Sequence, residues 1–539
     1  MKTTTESGLE QLSPFQLKDE LIRYAKTRTR GGAAGHAFMN AGRGNPNWVA
    51  ITPREAFVRL NEFALLEAKR VWKEPDLAGM PAADGIADRF SAFLAGCSPG
   101  AGVELLRRAV AYASSDLAFE TDAFVHELTD AVTGDNYPEP DRMLVHAERV
   151  VQRYLTRALW HGDPPAAPFD LFAVEGGTAA VCYVFKSLFE NRLLEPGDAI
   201  ALGAPIFTPY VELPHLGDYQ LETIDVVQSG TIDGRHTWQY PDREIEKLAN
   251  PRIKAFFLVN PSNPASFAMH AETQQRIVRL VRERRPDLAI VTDDVYGTFA
   301  EGFRTLAADL PRNTILIYSY SKHFGCTGWR LGVIGINRDN LFDDRIAALP
   351  ESDRAALRDR YASLTTEPDR FRFIDRIVAD SRDVALNHTA GLSTPQQAQM
   401  TLFSLFALLD DADRYQHRCR QILRERLVRL AHGLGAPIPD DPLRVGYYID
   451  LDLAAWGRTA IGADFAQYVA AHHEPLDVVL ALAQRYGSVV LNGSGFDGPP
   501  WSIRLSLANL DAADYEAIGR DIRALVGRAV DEWRASQKG

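Results

Sequence analysis

Residues 319–330 read SYSKHFGCTGWR, directly after the apolar run Thr314 to Tyr318. The run reads as a buried strand, and Lys322 stands just beyond its end. A lysine there loses solvation, its neutral amine becomes accessible, and a neutral amine can form a Schiff base. Ser319 lies three residues before it and Arg330 eight after. A hydroxyl and a guanidinium are suitable donors to a phosphate, the guanidinium bidentately. The three groups together describe a site for pyridoxal 5′-phosphate with Lys322 as its covalent anchor. Alone, the lysine could equally sit in a solvated loop, so the surrounding pattern has to decide.

That pattern begins at Leu171. LFAV runs into Glu175-Gly176-Gly177-Thr178 and a helix, AIALG into Ala204 to Tyr210, and AFFLV into Asn260-Pro261-Ser262-Asn263-Pro264. LAIVT ends at Asp293-Asp294-Val295-Tyr296, and TILIY at Ser319 and Lys322. Short apolar strands separated by helices predict a mostly parallel sheet covered on both faces. Such sheets bind ligands beyond the carboxyl ends of their strands, where every one of these groups lies.

Each group has a chemistry and an alternative. Gly176, Gly177 and Thr178 open a helix, whose free N–H groups bind phosphate, although many helices start this way. Asp293 would set a carboxylate against a pyridine nitrogen and keep it protonated; it could instead be a helix cap. Asn260 and Tyr296 could hydrogen-bond the phenolic oxygen of the same ring. Phe207 could stack on the ring or simply fill core. Arg504 sits in the apolar run Ile503 to Leu507, where a charge is expensive unless paired. Its partner could be a substrate α-carboxylate or a structural Asp or Glu. Arg43, in the loop Asn40 to Trp48, is flanked by glycines and could reach a ligand or stay exposed.

The rest of the chain sets limits. Its 539 residues are 46% hydrophobic and 24% charged, an ordinary soluble composition. The net charge of -12, with no basic block, argues against a nucleic-acid partner. No apolar run is long enough for a membrane span, and MKTTTESGLEQLSPFQ lacks the apolar core of a signal peptide. Four scattered cysteines without a CxxC pair read as reduced thiols in a cytoplasmic protein, and no metal site is expected. Residues 54 to 160 read as mainly helical, broken by Asn136-Tyr137-Pro138-Glu139-Pro140, and residues 340 to 385 as charged inserted helices. VGYYIDLDL, SVVLNGSGF and WSIRLSLANL read as strands of a smaller α/β domain.

In order and spacing, GGT, N-P-x-N-P, D-x-x-Y, S-x-x-K, the following arginine and a C-terminal arginine resemble the aspartate aminotransferase superfamily. This is the α/β, fold-type I group of enzymes that use pyridoxal phosphate. Within it, NAGRGNPNW, DLFAVEGGTAA, VNPSNP, TDDVYGTFA, SKHFGCTGWRLGVI, the inserted helices and ALNHTAGLSTPQQAQM are similar to the aspartate 4-decarboxylase family over nearly the whole chain. The resemblance implies conversion of L-aspartate to L-alanine and CO2, with a minor aminotransferase activity. A plain aminotransferase acting on aspartate or another amino acid is the alternative. A ligand-sensing transcription regulator would need a DNA-binding region that the short segment before Arg43 cannot hold.

The resemblance also implies roles and architecture. Lys322, Asp293 and Tyr296 would be catalytic. Asn260, Asp293 and Tyr296 would hold the cofactor ring, and Gly177, Thr178, Ser319 and Arg330 its phosphate. Tyr137 would reach the phosphate of a neighbouring subunit. Arg504 would take the α-carboxylate, with Arg43, Gly44 and Asn260 beside the substrate. The chain would divide into a small domain from residues 1–53 and 396–539 and a large domain from 54–395. It would form homodimers with shared active sites, assembled into a dodecamer. His323 and Cys326 depart from the expected pattern beside the lysine, and RTRGGAAGH is longer than expected.

Overall fold

The computed structural model describes residue 9 and residues 12–30, 38–232, 235–382 and 390–538. Most of RTRGGAAGH and the Asn387 to Thr389 part of the second turn-rich loop lie outside the described residues.

Seven strands form the central sheet: β1 Phe169–Val174, β2 Ala199–Leu202, β3 Glu222–Asp225, β4 Ile253–Val259, β5 Ala289–Asp293, β6 Thr314–Ser319 and β7 Gly332–Asn337. Their spatial order is β1-β7-β6-β5-β4-β2-β3. β2 to β6 pair in parallel, whereas β7 runs antiparallel to both neighbours. All but β3 are buried almost throughout, which is why they read as largely apolar runs. The edge strand β3, sequence ETID, is largely exposed, and its charges suit a sheet edge.

Register assembles the site. Val259 pairs with Asp293, and Asp293 with Ile317, so β4, β5 and β6 end side by side. β7 crosses between β6 and β1, with Gly332 paired to both Ser319 and Val174. The turn after β1 is thereby brought against the turn after β6. β7 was not expected from sequence: LGVIGIN is apolar like its neighbours, and strand direction is not written in such a run.

The helical region contains Thr52–Val71 and Val145–Leu159, interrupted as expected around Tyr137. The helix Thr394–Leu408, opened by a Ser393/Gln396 capping box, packs against both of them. Its first turn contains residue 395, the expected boundary. The helix Arg414–Leu434 packs instead on Ala512–Ser536. Nearby, β8 Tyr448–Asp452, β9 Leu491–Asn492 and β10 Ser502–Ser506 form an antiparallel sheet of order β8-β10-β9.

The loop Asn40 to Ala50 ties this small sheet to the lysine segment. Ser506 N–H donates to Ala41 O (2.8 Å), Asn47 N–H to Ala508 O (2.8 Å), and Ala50 N–H to Phe324 O (3.1 Å). No helix among the described residues is long and apolar enough to cross a membrane.

Candidate active site

A cavity of about 220 Å³ opens where β1, β4, β5 and β6 end and β8 and β10 face them. At one end are Gly177 and Thr178, at the start of the helix Gly177–Glu190, with Ser319, Ser321 and Arg330. Gly176 lies behind them with φ +85°, and a Cβ there would strike the Arg330 guanidinium. Glycine is therefore what lets Arg330 donate to Glu175 O (3.1 Å) and Thr327 O (3.0 Å) while lining the cavity. Hydroxyls, helix N–H groups and a guanidinium converging at one end suit an anion with several oxygens.

Asp293 enters from the end of β5 and is buried. Val295 N–H donates to its Oδ1 (3.2 Å), and the Tyr210 hydroxyl reaches Oδ2 at 3.5 Å. Burial pushes its carboxyl up to about 6, with the Val295 and Tyr210 bonds and the Lys322 charge opposing. A carboxylate so placed gains from a cation brought against it. Neighbouring Asp294 turns away, as strand alternation requires, and accepts from Thr292 Oγ1 (2.6 Å).

Lys322 Nζ donates to Gly44 O (3.0 Å). Gly44 has to be small: an added Cβ would lie 2.8 Å from Tyr448 Oη and 3.1 Å from Lys322 Nζ. Tyr296 Oη donates to Tyr448 Oη (3.1 Å). Phe207 lines the cavity too.

Arg504, in β10, is 1% exposed. It donates to Asn263 Oδ1 (3.2 Å) and Gly42 O (3.1 Å), and its guanidinium lies 4.3 Å from the Tyr448 ring centre and 4.7 Å from that of Phe496. Those acceptors are neutral, and Nε has no partner. Asp450 stands opposite Arg504 in the strand register, yet neither of its oxygens has a hydrogen-bond partner, and burial pushes its carboxyl up to about 7. A structural carboxylate holding Arg504 was the alternative; the geometry instead leaves much of the positive charge for a carboxylate entering the cavity.

Of the residues expected from sequence, Gly44, Gly177, Thr178, Phe207, Asp293, Tyr296, Ser319, Lys322, Arg330 and Arg504 line this cavity. Asn260 does not. Its Oδ1 accepts the Met269 N–H (2.9 Å), so it braces the following loop, and Asn263, three residues later, faces Arg504 in its stead. Arg43 is exposed and lies outside the lining, and Tyr137 is 66% exposed on the outer surface.

Ser321, Asn263 and Tyr448 were not expected. The motif N-P-S-N-P offers two asparagines, and only the turn decides which faces in. Tyr447 and Tyr448 both approach Gly44, and sequence does not say which of the two lines the cavity.

The departures beside the lysine carry no charge. Burial, aided by Arg420, pushes His323 down to about 3, so its ring is neutral. Burial pushes the Cys326 thiol up to about 12, and its Sγ donates to Tyr320 O (3.2 Å).

Residues 172–522 match the family described as aminotransferase class I and II. The chain is 46% identical over 533 residues to a bifunctional aspartate aminotransferase and L-aspartate beta-decarboxylase of a Pseudomonas species, covering 98% of this chain and 99% of that one. Among solved structures, an aspartate aminotransferase of Rhizobium meliloti aligns with a TM-score of 0.58 at 16% identity, over 98% of this chain and 99% of that one. A single mutant of the Thermus thermophilus aspartate aminotransferase aligns at 0.56, also at 16% identity, over 96% and 97%. At that identity the two structures establish the shared fold.

Proposed function

Because the chain belongs to the class I and II aminotransferase family, we propose that it converts L-aspartate to L-alanine and CO2 and transaminates aspartate as a minor reaction. The observation that carries this reading is the end-to-end match to the bifunctional relative, which takes in both the Asn40 to Trp48 loop and the inserted helices.

Pyridoxal 5′-phosphate, the family's cofactor, supplies an aldehyde for the substrate amine and a ring that accepts electrons released at Cα. Gly177, Thr178, Ser319, Ser321 and Arg330 would hold its phosphate. Asp293 would keep a proton on the ring nitrogen, a cation that offsets the cost of burying its carboxylate. Tyr296 lines the cavity with its hydroxyl proton held by Tyr448 (3.1 Å). Arg504, with Asn263, binds the α-carboxylate. Lys322 takes the Cα proton and returns it, and the Gly44 carbonyl fixes its starting position. Loss of the side-chain carboxylate as CO2 and a proton delivered to Cβ complete alanine. Where water reaches the reacting carbon first, oxaloacetate leaves instead.

The test is to incubate protein, pyridoxal phosphate and aspartate and quantify three products. Alanine and CO2 should appear in equal amounts and exceed oxaloacetate. Oxaloacetate without CO2, formed only as the amino group passes to an added 2-oxo acid, would establish a plain aminotransferase.

We also assign a homodimer with shared active sites, assembled into a dodecamer. Tyr137 and Arg43 support sharing, since both lie outside their own chain's cavity and are exposed on its surface. Mixing Lys322→Ala chains with Tyr137→Ala chains under subunit exchange should restore part of the lost activity. Exchange without recovery would mean that each site is built from one chain. Sedimentation velocity gives the assembly number, and a species no larger than a dimer would remove the dodecamer.

A further inference from the structure

We propose that Tyr448 is the group that delivers the proton to the carbon that has lost CO2. The inference rests on the decarboxylase reading above and extends it, because decarboxylation leaves an electron pair on Cβ that must be protonated before alanine can form.

The position is right for this. Tyr448 comes from the small sheet and reaches the cavity between the amine that works on Cα and the guanidinium that holds the α-carboxylate. Its Oη and Lys322 Nζ approach the same point, 2.8 Å and 3.1 Å from where a Gly44 Cβ would be. Arg504 lies against its ring at 4.3 Å. A substrate spanning Lys322 and Arg504 has Tyr448 alongside it.

Hydrogen-bond direction supplies the second argument. The Tyr448 oxygen accepts from the Tyr296 hydroxyl at 3.1 Å. The proton of Tyr296 is thereby committed, and that of Tyr448 is left to point into the cavity. Tyr447, the next tyrosine along, spends its own proton on Gly44 O (2.9 Å).

The third argument is what remains after the proton leaves. A phenolate at Tyr448 keeps the Tyr296 hydrogen bond and has two cations, Lys322 and Arg504, beside it. Burial raises the phenol, but Lys322, Arg504 and the Tyr296 bond outweigh it and pull Tyr448 below the ordinary tyrosine value. Burial, reinforced by the neighbouring phenols, pushes Tyr296 and Tyr447 well above theirs. Of the other ionisable groups lining the cavity, the arginines do not give up protons, Asp293 faces the ring end, and Lys322 serves Cα.

The step balances. The Cα-side electron demand breaks the Cβ–carboxylate bond and releases CO2, with the bonding pair left on Cβ. That pair takes the Tyr448 proton as the O–H bond breaks. The phenolate regains a proton from Lys322 ammonium or water before the next turnover.

Tyr448→Phe keeps the ring and removes the hydroxyl, with the acceptor it offers Tyr296. With the holoenzyme and aspartate stereospecifically labelled at Cβ in heavy water, the wild type should yield alanine whose methyl group has one configuration. The variant should form alanine roughly 100-fold more slowly, with a racemic methyl group. Exchange of the Cα proton, which reports Lys322 and correct folding, should fall far less. In the apoprotein, ultraviolet titration should show one phenol ionising ahead of the others in the wild type and none in the variant.

A variant that keeps the wild-type configuration and rate overturns the inference. So does one that loses Cα exchange as much as alanine formation, because the tyrosine would then be a structural part of the site. If the wild type itself releases no CO2, the decarboxylase reading falls first and takes this step with it.

Discussion

Lys322→Ala should lower turnover by more than about 10⁴-fold in both reactions, since it removes both the covalent anchor and the proton carrier at Cα. Among the described residues, Lys322 is the one lysine lining the cavity. The arginines there are bound to Glu175 O and Thr327 O, or to Asn263 and Gly42 O, and cannot substitute as a base at neutral pH. The variant should still fold. Lys322 hydrogen-bonds a loop carbonyl, and its loss leaves Gly44 O with the Tyr447 hydroxyl as partner. Three measurements separate loss of chemistry from loss of structure. Borohydride reduction of the wild type followed by peptide mapping should place the pyridoxyl group on Lys322. The variant should bind pyridoxal phosphate without a borohydride-stable link. Small primary amines added in solution should restore a fraction of Cα exchange. A label on a different lysine, or a variant with ordinary turnover, would end the assignment.

The strand ends carried most of what could be read in advance. A parallel sheet collects its functional groups at one edge, so motifs that follow apolar runs can be placed without knowing how the strands are ordered. The register Val259–Asp293–Ile317 realises that expectation in space. What could not be read depends on turns and long-range pairing. Asn260 and Asn263 are chemically identical and three residues apart, and the turn through Ser262 and Phe267 sends the first to Met269 and the second to Arg504. The antiparallel β7 has no local signature distinguishing it from its parallel neighbours. Tyr448 is legible as a strand residue, but its importance comes from Gly44 and Lys322, both distant in sequence. The turn-rich motif Ser393 to Pro395 turns out to open the helix Thr394–Leu408, which packs on Thr52–Val71 and Val145–Leu159.

Arg504→Ala should reduce kcat/KM for aspartate without changing how the enzyme divides its products. Truncating one member of a buried charge pair costs about 2–5 kcal/mol. With a substrate carboxylate as the missing partner, that corresponds to about a 30-fold to 5000-fold loss. The grip on the α-carboxylate is the same before and after CO2 departs, so it stabilises the states on both branches alike. Uniform binding of this kind lowers both reactions together. Arg504→Lys should recover only part of the loss, because an ammonium lacks the fork that holds Asn263, Gly42 O and a carboxylate at once. Asp450 keeps the variant from carrying an uncompensated buried charge. It is already pushed up to about 7, and removing the nearby guanidinium takes away a force that favours its ionised form. Arg43→Ala is the contrasting case. That arginine is exposed in its own chain, on a loop pinned to both the small sheet and the lysine segment, so its effect should fall on the orientation of aspartate and the entry of water. Its loss should lower decarboxylation more than transamination. Single-turnover reactions, with oxaloacetate corrected for its spontaneous decay, give the alanine-to-oxaloacetate ratio for each variant. A ratio that shifts in Arg504→Ala would mean that the buried arginine meets the departing carboxylate rather than the one that stays.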